Sequence, residues 1–538
     1  MYLAQIEGRC SLQYTAEDED RQQWLKEWID PKNDGESYQH KKRETRLGSD
    51  NIYRIELKFP WRVFSNGGKD SIPRPVLGKN GIPFIPGSSI KGLFKRVCNS
   101  KQKKLYCGDE NNPGCLRFHG AYPIGNWAKN ITVTETKDGV KTTKVCYLIE
   151  DVVHPQQKRQ IEKETTTSAS ALISFYEPTF SFEFSNVNEN INWTEVESIL
   201  HQALSRGLGG KTSTGYGFVD SPEYAKPTSS LYNNAEHIRL EGTGVSSKLI
   251  NGQPEFRPNL FKATLRGHTI RLLSGLINDK LIDRYIDRLF GSTNNPGSLQ
   301  LYWENKKKIS FDKKGRKETN PTYKVEGILH ICSQNTQEVS LIGLVIKFAF
   351  ILGGFGKSWR RVSHEQFYKE YFQAQNKYDI GCHWKSLDEG WIDIKNSDDL
   401  GKFLGKVRND FQKYLGSNPN YQPSNKWREV WHPDRVAVYS NVVQKSEVIE
   451  LFHNEVFKYT PAIGGRNLGD KRPTAVSSVW HRMLPIGDGN YLEIVTLFHH
   501  ARSDWKHKTQ GNQLSNFIQE LESAGLTLSW GSEPAENP

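Results

Sequence analysis

Residues 51–59, Asn-Ile-Tyr-Arg-Ile-Glu-Leu-Lys-Phe, alternate polar and apolar positions with the two-residue period of a half-buried strand. A glycine-bearing loop follows, Asn66-Gly67-Gly68-Lys69-Asp70-Ser71, and then Ile82-Pro83-Phe84-Ile85-Pro86-Gly87 leads into a helix. Ile90, Leu93, Phe94 and Val97 fall at i, i+3, i+4 and i+7 and define its buried face, with Lys91, Lys95 and Arg96 off it. Ser88 or Ser89 is placed to cap the helix. Residues 146–153 and 171–184 have strand patterns, and Trp193–Leu204 reads as a helix ending at a glycine-rich loop. Strand, helix, strands, helix and strand in this order predict a ferredoxin-like α+β module.

Pro222–Asn234 has linker composition. The pattern then restarts at His237–Gly244, with a helix from about Asn259. An aromatic-rich stretch at 365–440, carrying a helix at Asp398–Leu415, reads as an insertion into the second module. A strand at Tyr491–Phe498 and an amphipathic helix at Gln513–Ala524 close the chain. The expected organisation is a first module over 1–225 and a second over 226–538.

Two basic segments recur in the same order. Pro86–Arg96 is followed by Arg206–Gly217, and Pro258–Arg266 is followed by Gly353–Arg360. The chain of 538 residues has a net charge of +11, which suits a polyanionic partner. No apolar run reaches the roughly 18 residues of a membrane span. Seven cysteines without disulfide-like spacing, and an N-terminus without a signal-peptide pattern, predict a cytoplasmic protein.

The Gly207–Gly217 loop has five glycines among eleven residues. Glycine lets backbone N–H groups approach phosphate oxygens, and Lys211 adds a charge. A nucleotide-binding P-loop requires a further glycine where Ser205 stands in the first copy and Ile351 in the second, so both copies fail that motif. The blander alternative is a helix-to-strand turn with a solvated lysine. Lys91 and Lys95 share a helix face at i, i+4, and Lys262 and Arg266 repeat the spacing. The expected RNA contacts are Lys69, Ser88, Ser89, Lys91, Lys95, Arg96, Gly209, Gly210, Lys211 and Thr212 in the first copy. In the second they are Lys262, Arg266, Gly354, Lys357, Ser358 and Arg360.

At Pro86–Gly92, Gly207–Gly217 and the intervening Leu116–Pro123 the chain resembles the repeat-associated RAMP superfamily, the RNA-binding proteins of CRISPR effector complexes. The likeness covers most of residues 50–220. It is weaker over 236–361, where Pro258–Arg266, Leu289–Ser292 and Gly353–Ser358 carry it, and fragmentary beyond 365. It is most similar to a backbone subunit of a type III effector with two fused modules, as in type III-D variants. The resemblance implies RNA-recognition-like modules with inserted hairpin thumbs. It also implies a role: binding a guide CRISPR RNA beside other effector subunits and presenting it to a complementary target RNA.

It further implies that an aspartate between first strand and helix cuts the target, and Asp70 falls there. Its carboxylate would position a divalent metal such as magnesium or help deprotonate a 2′-hydroxyl. An Asx-turn aspartate is the structural alternative. The second module offers only Glu241 and Glu255 nearby and is expected to bind without cutting. A non-catalytic scaffold and a precursor-processing ribonuclease are the competing functions. Cys98, Cys107, Cys115 and His119 lie within 22 residues and form a candidate zinc set, although their spacings match no usual paired knuckle. Cys146 or His154 could replace His119, and free buried thiols are the alternative. Zinc in this region is common in the related modules that the resemblance points to. Arg466, Lys471 and Arg472 are expected to face RNA or a neighbouring subunit, and His499 and His500 to be strand-end residues.

Overall fold

The computed structural model describes residues 52–67, 74–76, 83–125, 130–137, 140–147, 150–153, 170–187, 191–219, 234–248, 254–292, 297–312, 321–333, 335–371, 381–416, 422–426, 428–469, 476–500 and 502–534. The chain divides into two compact units.

In the first unit the sheet contains β1 (Tyr53–Lys58), the short β2 (Ile85–Pro86), β3 (Leu116–Ile124) and β4 (Thr179–Asn186), in the order β1-β4-β3-β2. All pairings are antiparallel. The helix α1 (Gly87–Val97) joins β2 to β3, and α2 (Trp193–Leu204) follows β4. Without the short β2, the core order is first-third-second, as in a ferredoxin-like βαββαβ unit. Two hairpins, Asn130–Lys137 with Val140–Tyr147 and Glu150–Val153 with Ser170–Ile173, are inserted between the second and third core strands. Alternation along β4 sends Phe180, Phe182 and Phe184 to zero exposure in one core with Ile90 and Phe94 of α1. Burying each such large side chain contributes about 1.5–3 kcal/mol.

The second unit contains a complete version of the pattern. It begins with β5 (Asn234–Val245), α3 (Asn259–Ser274), α4 (Asp279–Phe290) and β6 (Gln300–Asn305). It continues with β7 (Thr322–Ser333), α5 (Thr336–Leu352) and β8 (Cys382–Ser386). The sheet runs β6-β7-β5-β8, the second-third-first-fourth order of a ferredoxin-like sheet. α5 is apolar nearly all round, and twelve of its residues are buried.

The span 365–538 holds a further sheet of the same order. After α6 (Ser397–Leu415), the strands β9 (Val436–Val443), β10 (Val479–Gly487), β11 (Asn490–Phe498) and β12 (Thr527–Gly531) pair as β10-β11-β9-β12. Short helices at Glu455–Lys458 and Pro461–Gly464 lie between β9 and β10, and α7 (Leu514–Ser523) precedes β12. This sheet has its own core around Tyr439, Trp505 and Phe517. The residues read as the end of an insertion and the close of the second module therefore build a separate four-stranded sheet. Among the described residues no helix is long and apolar enough to cross a membrane.

Candidate nucleic-acid interface

The first-unit site is built from the start of α1 and the loop after α2. α1 begins beside β3, so closely that a Cβ on Gly87 would stand 2.0 Å from the Phe118 carbonyl oxygen. Pro86 occupies the cap position, and no side chain caps the helix; the serine cap expected from sequence is absent. Ser88 and Ser89 are exposed in the first turn, with Lys95 and Arg96 exposed further along and Lys91 half-buried. An uncapped first turn leaves backbone donors and the positive helix end facing outward.

The glycine loop is fixed by the chain just after β1. The Gly210 amide donates to the Phe64 carbonyl at 2.9 Å, Gly217 to Arg62 at 3.2 Å, and Leu208 to Gly217 at 2.7 Å. Gly209 has φ +78, and a Cβ there would meet the Phe64 oxygen at 2.3 Å. Gly209 and Gly210 are exposed. Lys211 is left-handed at φ 60, and its ammonium sits 4.4 Å from the Phe64 ring centre. Thr212 is half-buried and opens a single 3-10 turn, Thr212–Thr214.

The second unit repeats this backbone with a shift that the sequence motif hides. Left-handed residues alternate at Gly207, Gly209 and Lys211 in the first loop and at Gly354, Gly356 and Ser358 in the second. The bridge from the first strand agrees: Phe64 pairs Gly210, and Val245 pairs Lys357. Backbone position therefore matches Lys357 with Gly210, and Ser358 with Lys211. In the second loop Lys357 is exposed, whereas Gly354 is buried against Trp384.

Arg360 is not at the surface. It is 9% exposed and donates to both carboxylate oxygens of Glu429, at 3.1 and 3.0 Å. Arg271 and Arg428 complete this buried cluster. Burial alone would raise the Glu429 carboxyl, but the three arginines hold it at about 2. The RNA contact expected of Arg360 is thus replaced by a core ion pair, because the chain turns inward after Ser358.

In α3 the buried residues Phe261 and Leu265 stand where Ile90 and Phe94 stand in α1, which aligns Lys262 with Lys91 and Arg266 with Lys95. Both basic residues are half-buried. Burial, with Arg266 beside it, brings the Lys262 ammonium down to about 8. Burial also lowers Arg266, opposed by Asp287 and Asp283 on α4.

The cysteines gather in the first-unit core: Cys107 belongs to it, and Cys98 and Cys115 pack against it. Burial, and then Cys107, push the Cys98 thiol up to about 12. His119 points elsewhere, its Nε2 2.7 Å from the Ser185 hydroxyl. Among the described residues no three His, Cys, Asp or Glu side chains stand together as a cation site. Lys69, Asp70, His154, Lys471 and Arg472 lie outside the described residues, as does the side chain of Cys146; the flanking Asn66–Gly67 pairs with Arg74–Pro75. Arg466 lies 5.5 Å from the Tyr459 ring centre, and His499 is buried just beyond the end of β11.

A family model for the RAMP superfamily matches residues 45–220. No curated protein matches the chain. Among solved structures, Cmr1 from Pyrococcus furiosus in its apo form is similar at 16% identity, covering 55% of this chain and 99% of that one, with a TM-score of 0.38. A type III-B Cmr-beta complex bound to cognate target RNA matches at 21% identity over 32% of this chain and 59% of that one, TM-score 0.24. Cmr6 from Pyrococcus furiosus matches at 17% identity over 32% of this chain and 98% of that one, TM-score 0.20. With TM-scores this low, the fold assignment rests on the strand order above. The RAMP match contains the start of α1 and the glycine loop, the two parts of the first-unit site. The shifted register of the second loop, and the third sheet, are the features that motif reading alone missed.

Proposed function

We propose that this protein is a backbone subunit of a type III CRISPR effector complex. It binds a guide RNA through the paired helix starts and glycine loops, and its first unit cuts complementary target RNA. The observation that supports this reading is the repeated loop backbone, left-handed residues at alternate positions bridged to the first strand in both units, together with the helix start without a side-chain cap in the first. Such a grip contacts phosphate and fixes register without reading sequence, as a guide holder requires.

Asp70 is the residue this reading assigns to cleavage. A divalent metal bound there would stabilise charge on the scissile phosphate. The test is a denaturing gel of end-labelled complementary RNA, with assembled wild-type and Asp70→Ala complexes in magnesium. The variant should bind target and lose cutting at one site by more than about a hundredfold. Full-rate cutting by Asp70→Ala would leave a non-catalytic scaffold as the better reading.

A further inference from the structure

Away from the glycine loops, three side chains form one run of hydrogen bonds across the sheet of the second unit. His237 of β5 and His330 of β7 are direct partners in the strand pairing, so their side chains leave the same face. Their Nδ1 atoms stand 2.7 Å apart. Behind them, His330 Nε2 lies 3.0 Å from Glu304 Oε2 on β6. Lys306 donates to the other oxygen of Glu304 at 2.6 Å. Burial alone would raise the Glu304 carboxyl, but the bonds from Lys306 and His330 bring it below its ordinary value. His330 is buried, whereas His237 is exposed.

An ionised carboxylate only accepts, so His330 carries its proton on Nε2 and turns the Nδ1 lone pair toward His237. An imidazole that donates one ring N–H to a carboxylate and presents its other nitrogen has the usual form of a metal ligand. His237 has the matching option: with its own proton on Nε2, its Nδ1 lone pair turns to the same point. Two imidazole nitrogens about 2.1 Å from one ion, at a right angle, stand about 3.0 Å apart, so the pair needs to open by only about 0.3 Å. Right-angled nitrogen donors suit nickel and copper, whereas tetrahedral zinc would spread them further. The exposed side of His237 leaves the remaining coordination positions to water. A second histidine pair, His364 with His453 at 2.9 Å between Nε2 atoms, is less suited. It is backed by the Val362 carbonyl, and the positive charge of Lys458 and Arg361 acts on it. We propose that His237 and His330, oriented by Glu304, bind one divalent transition ion of the nickel or copper type across β5 and β7. The inference is independent of the RNA-binding reading.

The experiment is calorimetric titration of the chelator-stripped full chain with nickel chloride, with magnesium chloride as the hard-cation control. Wild type should bind one more nickel ion per chain than His237→Ala. That variant removes an exposed side chain, and its metal-free melting temperature should match wild type. His453→Ala should keep the wild-type stoichiometry. Glu304→Ala should keep the site and weaken it by about 10–100-fold. With copper as the probe, the difference in electron paramagnetic resonance between wild type and His237→Ala should show splitting from two equatorial nitrogens. Equal nickel stoichiometry in wild type and His237→Ala would overturn the site. Magnesium binding as tight as nickel, or nickel binding by Glu304→Ala as tight as wild type, would overturn it as well.

Discussion

Gly209 and Gly210 are adjacent and both exposed, yet the structure gives them different tasks. At Gly209 a side chain meets two penalties. The left-handed conformation costs an L-residue about 1–2 kcal/mol. The new Cβ would also lie 2.3 Å from the Phe64 oxygen, forcing the loop away and breaking the bond from the Gly210 amide, worth about 1 kcal/mol. Gly209→Ala should therefore destabilise the first unit by about 2–3 kcal/mol, roughly 5–10 °C in its melting transition. Gly210 has no left-handed requirement, and its nearest neighbour to an added Cβ is the Phe64 Cβ at 3.5 Å, an ordinary contact. Gly210→Ala should melt like wild type. If phosphate rests on this loop, the added methyl should still weaken RNA binding several-fold. Calorimetry and anisotropy on the same preparations separate the effects. Equal melting of the two variants would refute the stereochemical argument, and unchanged RNA affinity in both would refute the phosphate contact.

Other substitutions divide the basic residues. Lys357→Ala should leave stability unchanged and reduce the slope of log affinity against log salt by about 0.7, one single-strand phosphate contact. Arg360→Ala should do the reverse, costing about 3 kcal/mol or more in a denaturant melt by stripping a partner from buried Glu429, with the salt slope unchanged. Lys262 gives a pH test. Its folded value near 8 lies below the ordinary lysine value, so between about pH 8 and 10 the unfolded chain holds the extra proton, and stability should rise with pH across that window. RNA phosphate favours the charged form, so affinity should fall as pH rises through about 8, and Lys262→Arg should flatten that fall. A wild-type titration without an inflection there would contradict the assignment.

Much of the first unit was legible because its signals are local. The helix Trp193–Leu204 was read to the residue, and the alternation at 51–59 located β1. The glycine loop and helix start also came directly from sequence, since stereochemistry ties those residue types to those conformations. The failures came from tertiary context. α5 has no amphipathic period because it is covered on nearly all sides, and β7 is likewise buried along much of its length. The third sheet stayed hidden because β9 and β10 are buried along most of their length and so lack the alternation of a half-buried strand. Arg360 looked like part of a basic surface motif, and only its distant partner Glu429, 69 residues away, shows it to be internal. Aligning the two loops on their Gly-Lys pairs gave a register one residue off, because backbone conformation follows the alternating left-handed positions and not the lysine. The cysteine spacing could not reveal that His119 turns to Ser185.

The central claim is that this chain holds a guide RNA, and the most direct measurement is extraction and sequencing of the RNA that co-purifies with it from its native host through a high-salt wash. The account predicts a discrete set of RNAs of uniform length, each sharing a constant repeat-derived end and differing in the remainder. Heterogeneous cellular RNA fragments without a common end, or no RNA at all, would contradict it.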